Sequence, residues 1–164
     1  MNSLHLHLLI NHLPVAGTLL GVLLLVLALW RRNAHTEVAA YFLFVVSSVG
    51  AVITYLTGEG AEEAVEHIRE ISKDAIEKHE EFSIYPLVAL IFLGVAAIIG
   101  IILRRRRSRF AKKMSFILLI LSVISFILVA WTGYLGGQIR HTELQHSTFT
   151  PSKSYQDQSL KKLP

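Results

Sequence analysis

Cysteine is absent from all 164 residues. Its absence excludes disulfides, thiolate-held iron–sulfur clusters, zinc ribbons and the C-x-x-C-H attachment of c-type haem, so any metal must sit on His, Glu, Asp or backbone. Charge is scarce as well, at 17% against 52% hydrophobic residues. That balance is too apolar for an ordinary soluble domain, and the chain is too short for more than one compact unit. There is no phosphate-binding glycine loop, nucleophile elbow or H-E-x-x-H pair. The apolar segments carry no acidic residue in their interiors, and none is broken as in a transporter that unwinds a helix around its cargo. The basic excess falls in two short blocks between apolar segments, with no nucleic-acid motif beside it, so nucleic acid is not an expected partner.

What the chain has instead is four apolar segments, at residues 4–30, 38–57, 82–103 and 114–135. Each runs for about 20 residues or more, enough to cross ~30 Å of hydrocarbon at ~1.5 Å per residue. The expected fold is an all-α bundle of four transmembrane helices in a lipid bilayer, formed by residues 1–143, with a polar tail at 144–164. The first segment lacks a basic leader and far exceeds the ~7–15 apolar residues of a signal core, so it reads as a span. Arg31 and Arg32 follow the first segment, while Arg104 to Arg107, Arg109, Lys112 and Lys113 separate the third and fourth. Translocation disfavours such clusters. Both loops are therefore expected in the cytoplasm and both termini outside, in a bacterial inner membrane. The intervening loop, residues 58–81, has nine acidic residues against three basic ones, as an outer loop tolerates.

Small residues mark expected helix contacts: Gly17 with Gly21, the stripe Ser47, Ala51, Thr54 and Gly58, and Gly133, Gly136 and Gly137. Residues 61–82 place apolar side chains at three- and four-residue steps, which predicts a short amphipathic outer helix leading into the third span.

Seven of the eight histidines lie at the segment ends remote from the basic blocks, and His35 alone lies in an inner loop. His7 precedes Pro14 by seven residues, and His79 precedes Pro86 by the same interval. Thr57-Gly58 closes the second span with His67 ten residues on, and Thr132-Gly133 closes the fourth with His141 nine on. A duplicated two-helix unit in parallel orientation would produce this pattern. Counting ~1.5 Å per residue puts His7 ~36 Å from Arg31 and His79 ~37 Å from Arg104, with Glu59 and His141 at comparable height. His12 falls at ~28 Å, just inside the hydrocarbon boundary, where an unpaired imidazole is costly. Glu143 and His146 form a single Glu-x-x-His pair, where a di-metal bundle needs two.

The strings NHLPVAG (residues 11–17), YLTGEGAEEAVE (55–66), KHEE (78–81) and GGQIRHTE (136–143) resemble a group of small four-helix bacterial membrane proteins near a domain-of-unknown-function family. The resemblance covers roughly residues 4–143. It implies the four-span topology and draws attention to His12, Glu59, His79, Arg140 and His141, which stand inside the matching strings. It implies no activity.

Three functions fit these residues. The first is a redox subunit in which two of His7, His12, His79 and His141 hold a b-type haem near the periplasmic face, with Arg140 pairing a propionate. It would pass electrons between a membrane donor or acceptor, such as a quinone, and other membrane or periplasmic redox subunits. The second is a non-haem iron, copper or zinc site in the same layer, built from His12, His79 and His141 with Glu59 or Glu80. The third is a non-catalytic subunit that anchors or assembles a larger membrane complex.

Overall fold

The computed structural model describes residues 7, 9–65 and 73–140, which are helical outside three short turns. Four long helices follow in order: α1 His12–Arg31, α2 Ala34–Val65, α3 Lys73–Arg105 and α4 Ala111–Arg140. Each contains a stretch long and apolar enough to cross a membrane, at His12–Arg31, Ala34–Gly58, Ile76–Arg105 and Ala111–Gly137. The four-helix membrane bundle expected from the sequence is thus the observed architecture. The described first span starts at His12, later than residue 4. Pro14 has no N–H to give the Ile10 carbonyl, and a turn at Asn11 separates α1 from the helical turn that carries His7.

The amphipathic stretch is divided. Residues 61–65 continue α2 and 73–82 open α3, while 66–72 lie outside the described residues. The backbone hydrogen-bond ladder has no reason to stop where apolarity does, and the helix runs on through Gly58 and Gly60, which weaken it without ending it.

The helices form a closed ring. α1 packs on α2, α2 on α3, α3 on α4 and α4 back on α1, the last contact being the thinnest. Helices α1 and α3 are therefore diagonal, as are α2 and α4. A shift of 72 residues carries buried Pro14, Thr18, Gly21, Leu25 and Ala28 of α1 onto buried Pro86, Leu90, Leu93, Ala97 and Gly100 of α3. A shift of 78 carries buried Glu37, Ala40, Phe44, Ser47 and Ala51 of α2 onto Ser115, Leu118, Ser122, Ser125 and Val129 of α4, also buried. The chain is two helical hairpins related by an axis down the bundle.

The hairpin turns match in detail. Asn33 donates its N–H to Ala28 (2.9 Å) and Arg32 to Leu29 (3.4 Å); Ser108 donates to Leu103 and Arg107 to Arg104, both at 3.0 Å. These are Schellman closures, with Arg32 and Arg107 holding the left-handed position at φ 54° and 50°. A polar residue then caps the next helix: Asn33 Oδ1 accepts from the backbone of His35 and Thr36, and Ser108 Oγ from that of Phe110. Arg32 and Arg107 are 75 apart, between the two helix shifts, so the second hairpin is three residues, ~4.5 Å, longer in each arm at this end.

Two features close the bundle. Gly17 and Gly21 bring α1 against Ser47 and the Phe44 ring of α2, and Gly94 admits Ser48 on the other side of α2. At the end carrying the basic loops, Glu37, the residue before the expected second span, is buried at 3% exposure. It pairs with Arg104 of α3 and accepts a hydrogen bond from Ser115 of α4 (2.8 Å), while the Tyr41 hydroxyl lies 2.8 Å from Ser115. One carboxylate thereby ties α2, α3 and α4 together.

Gly21→Leu forces a side chain into the immobile Phe44 ring and is expected to cost about 1–3 kcal/mol, read as a lower thermal midpoint in detergent. Gly137→Ala, with open space around it, serves as the neutral control. Arg104→Met strands the Glu37 carboxylate at an expected cost of about 3–5 kcal/mol. Adding Glu37→Gln should recover most of that loss in denaturant unfolding.

Candidate cofactor site at the histidine end

The opposite end of the ring has a belt of half-exposed aromatics, Tyr55, Tyr85, Trp131 and Tyr134, as expected where hydrocarbon meets headgroups. His79 stands six residues, ~9 Å, beyond Tyr85. His7 and His79 therefore occupy the boundary layer, on the heads of diagonal helices.

Both imidazoles are half-buried and held in the same way. His7 Nδ1 lies 3.0 Å from the Thr54 carbonyl and 3.3 Å from Thr57 Oγ1 on α2. His79 Nδ1 lies 3.1 Å from the Thr132 carbonyl on α4. A carbonyl oxygen can only accept, so Nδ1 carries the proton in each ring. In the neutral imidazole this leaves the Nε2 lone pair free as a metal ligand. Four residues beyond each threonine is a glycine: a Cβ on Gly58 would sit 3.8 Å from His7 Cε1, and one on Gly136 only 3.1 Å from His79 Cε1. The repeat therefore equates Thr54 and Gly58 with Thr132 and Gly136, a register three residues from the Thr57-Gly58 and Thr132-Gly133 match read from spacing. Burial pushes the His7 pKa below the ordinary histidine value, the Thr54 carbonyl drawing it part of the way back.

His12 and Glu80 are exposed. The side chains of Glu59 and Arg140, and His141 entirely, lie outside the described residues, as do His5, His67, Glu143 and His146. Among the described residues no three of His, Asp and Glu gather as a metal cluster. Two shallow surface hollows open near this end, one between Lys78, Glu81, Phe82, Tyr85 and Leu135, the other between Phe126, Ile127, Ala130, Trp131 and Tyr134. Neither is lined by His7 or His79, whose niche is a packed contact between helices. A large planar group would enter by parting α1 from α4, where contact is thinnest.

The family described as predicted membrane protein (DUF2231) matches residues 3–146 of this chain. The chain belongs to that family. No curated protein and no solved structure matches it. The family match takes in both hairpins, both histidine niches and the Glu37 cluster, and stops short of most of the polar tail.

The sequence reading singled out His7 and His79, and named Thr54, Thr57 and Thr132 as helix-contact or span-end residues without joining them to the histidines. Thr54 and Thr132 act through backbone oxygens, which no residue type announces. The spacing Thr-x-x-x-Gly at the end of α2 and again of α4 was the available signal. Glu37 and Arg104 were legible only as loop-edge charges, although Tyr41 one turn after Glu37 places a hydroxyl on the same face.

In histidine-labelled protein, ring nitrogen NMR at neutral pH should find His7 and His79 as neutral Nδ1–H tautomers. His7 should gain its proton at lower pH than an ordinary histidine side chain. Its lowered pKa means that the stability gained by burying the neutral ring is fully present above pH ~6.5 and is lost as pH falls through the lowered value.

Proposed function

We propose that the chain is an integral membrane redox subunit that holds a b-type haem between His7 and His79. The site lies at the periplasmic end and links a donor or acceptor in the membrane, such as a quinone, to a redox partner at that face. The observation that carries this reading is the paired Nδ1–H···O=C bond, which fixes both tautomers and presents an Nε2 lone pair from each of two diagonal helices. Six-coordinate haem iron needs two such axial nitrogens, and four-helix bundles build their cofactor sites from facing helices. Bound haem would supply a one-electron carrier. The protein's part is to orient the imidazoles through Thr54 and Thr132, let the rings lie against α2 and α4 at Gly58 and Gly136, and surround the group with an apolar bundle. Arg140, four residues beyond Gly136 in the sequence, would offer a cation to a propionate.

A reduced-minus-oxidised visible spectrum of protein purified in mild detergent, with iron analysis on the same sample, tests the reading. Sharp α and Soret bands with about one iron per haem are expected. His7→Ala and His79→Ala should each abolish the low-spin bands while the bundle stays folded, and His12→Ala should retain them. Bands that survive both single substitutions would sink this ligand pair. Stoichiometric metal without haem would move the function to a His and Glu site that draws on Glu59 and His141. A sample with neither, after cofactor loss in purification is excluded, would favour an anchoring subunit.

A further inference from the structure

Among the described residues, the exposed Arg, Lys, Asp and Glu side chains at the end opposite the histidines are all basic. Arg31 and Arg32 are exposed on the first turn, and on the second Arg105 to Arg107, Arg109, Lys112 and Lys113 are exposed as well. The carboxylate at this end among the described residues is Glu37, buried and already paired with Arg104. The cations crowd a tip that the longer second hairpin carries ~4.5 Å further out in each arm. Large apolar rings stand among them. Trp30 is 80% exposed beside Arg31, and Phe110 is 50% exposed with the Arg109 guanidinium 5.0 Å over its ring.

We propose that this basic end is a docking surface for the headgroups of anionic phospholipids. Guanidinium groups match phosphate oxygens in paired hydrogen bonds, and several cations at a membrane surface add their attraction for acidic lipid. The mixture of cations with exposed rings favours lipid over a soluble polyanion or an acidic protein. A phospholipid offers phosphate and acyl chain together at this depth, so it covers the charges and Trp30 at once.

The two tryptophans lie at opposite ends of the bundle, which provides a built-in test. The variant Trp131→Phe reports Trp30 at the basic end, and Trp30→Phe reports Trp131 at the histidine end. Each is placed in vesicles of fixed phosphatidylglycerol and phosphatidylcholine content, with bromine on the acyl chains of one lipid or of the other. Trp30 should be quenched about two-fold more when the anionic lipid carries the bromine, and Trp131 should show no such preference. Arg105→Gln, Arg109→Gln, Lys112→Gln and Lys113→Gln together, which leave the left-handed Arg107 in place, should reduce the preference. Salt of about 1 M, which shortens the Debye length to ~3 Å, should do the same on the unaltered tip and does not depend on the variant folding. Equal quenching of Trp30 by both arrangements would overturn the proposal, as would a preference that survives both charge removal and salt.

Discussion

In hydrocarbon a backbone amide has no water to turn to, and this constraint shapes the whole chain. It leaves long helices as the available spanning structure, confines turns to the two boundaries and makes any side chain that takes up a backbone carbonyl conspicuous. The carbonyls of Thr54 and Thr132 stand close to where α2 and α4 leave the apolar zone, and an imidazole from the neighbouring helix donates to each. The same need for satisfaction explains the other boundary. The last carbonyls of α1 and α3 are closed by Schellman bonds, and the buried Glu37 carboxylate is surrounded by Arg104, Ser115 and Tyr41.

The two hairpins share a register of burial but differ in the residues at matching positions near the axis. Glu37 and Ser115 occupy such positions and bond to each other, so one serves as acceptor and the other as donor. At the histidine end the equivalence is kept: imidazole, carbonyl and glycine recur in both halves. The bundle is thus asymmetric where its hairpins are fastened together and symmetric where a shared cofactor would sit between them.

The four spans and the two basic blocks were legible because hydropathy and charge are properties of a run of sequence and need no partner to be read. His7 and His79 were legible through their common distance to Pro14 and Pro86. Azimuth was not. His12 lies five residues beyond His7, ~140° around the helix, and a count of depth along the axis says nothing of that rotation. The structure turns His7 to the interior and leaves His12 exposed. The burial of Glu37 was hidden for the same reason, because a charge at the rim of an apolar run faces water or protein according to how its helix is rotated.

Three of the four contacts in the ring join helices that are consecutive in sequence, so separating them stretches or bends a connecting segment. The contact between α1 and α4 has no such tether, and it is also the thinnest. The bundle therefore behaves as a cylinder slit along one side, with its free edges held only by side-chain contact. Opening that slit exposes the axis to lipid without breaking either hairpin or the Glu37 clasp among the other three helices. Of the four seams in the ring, that is the one whose parting, in the plane of the membrane, would disturb the fewest contacts.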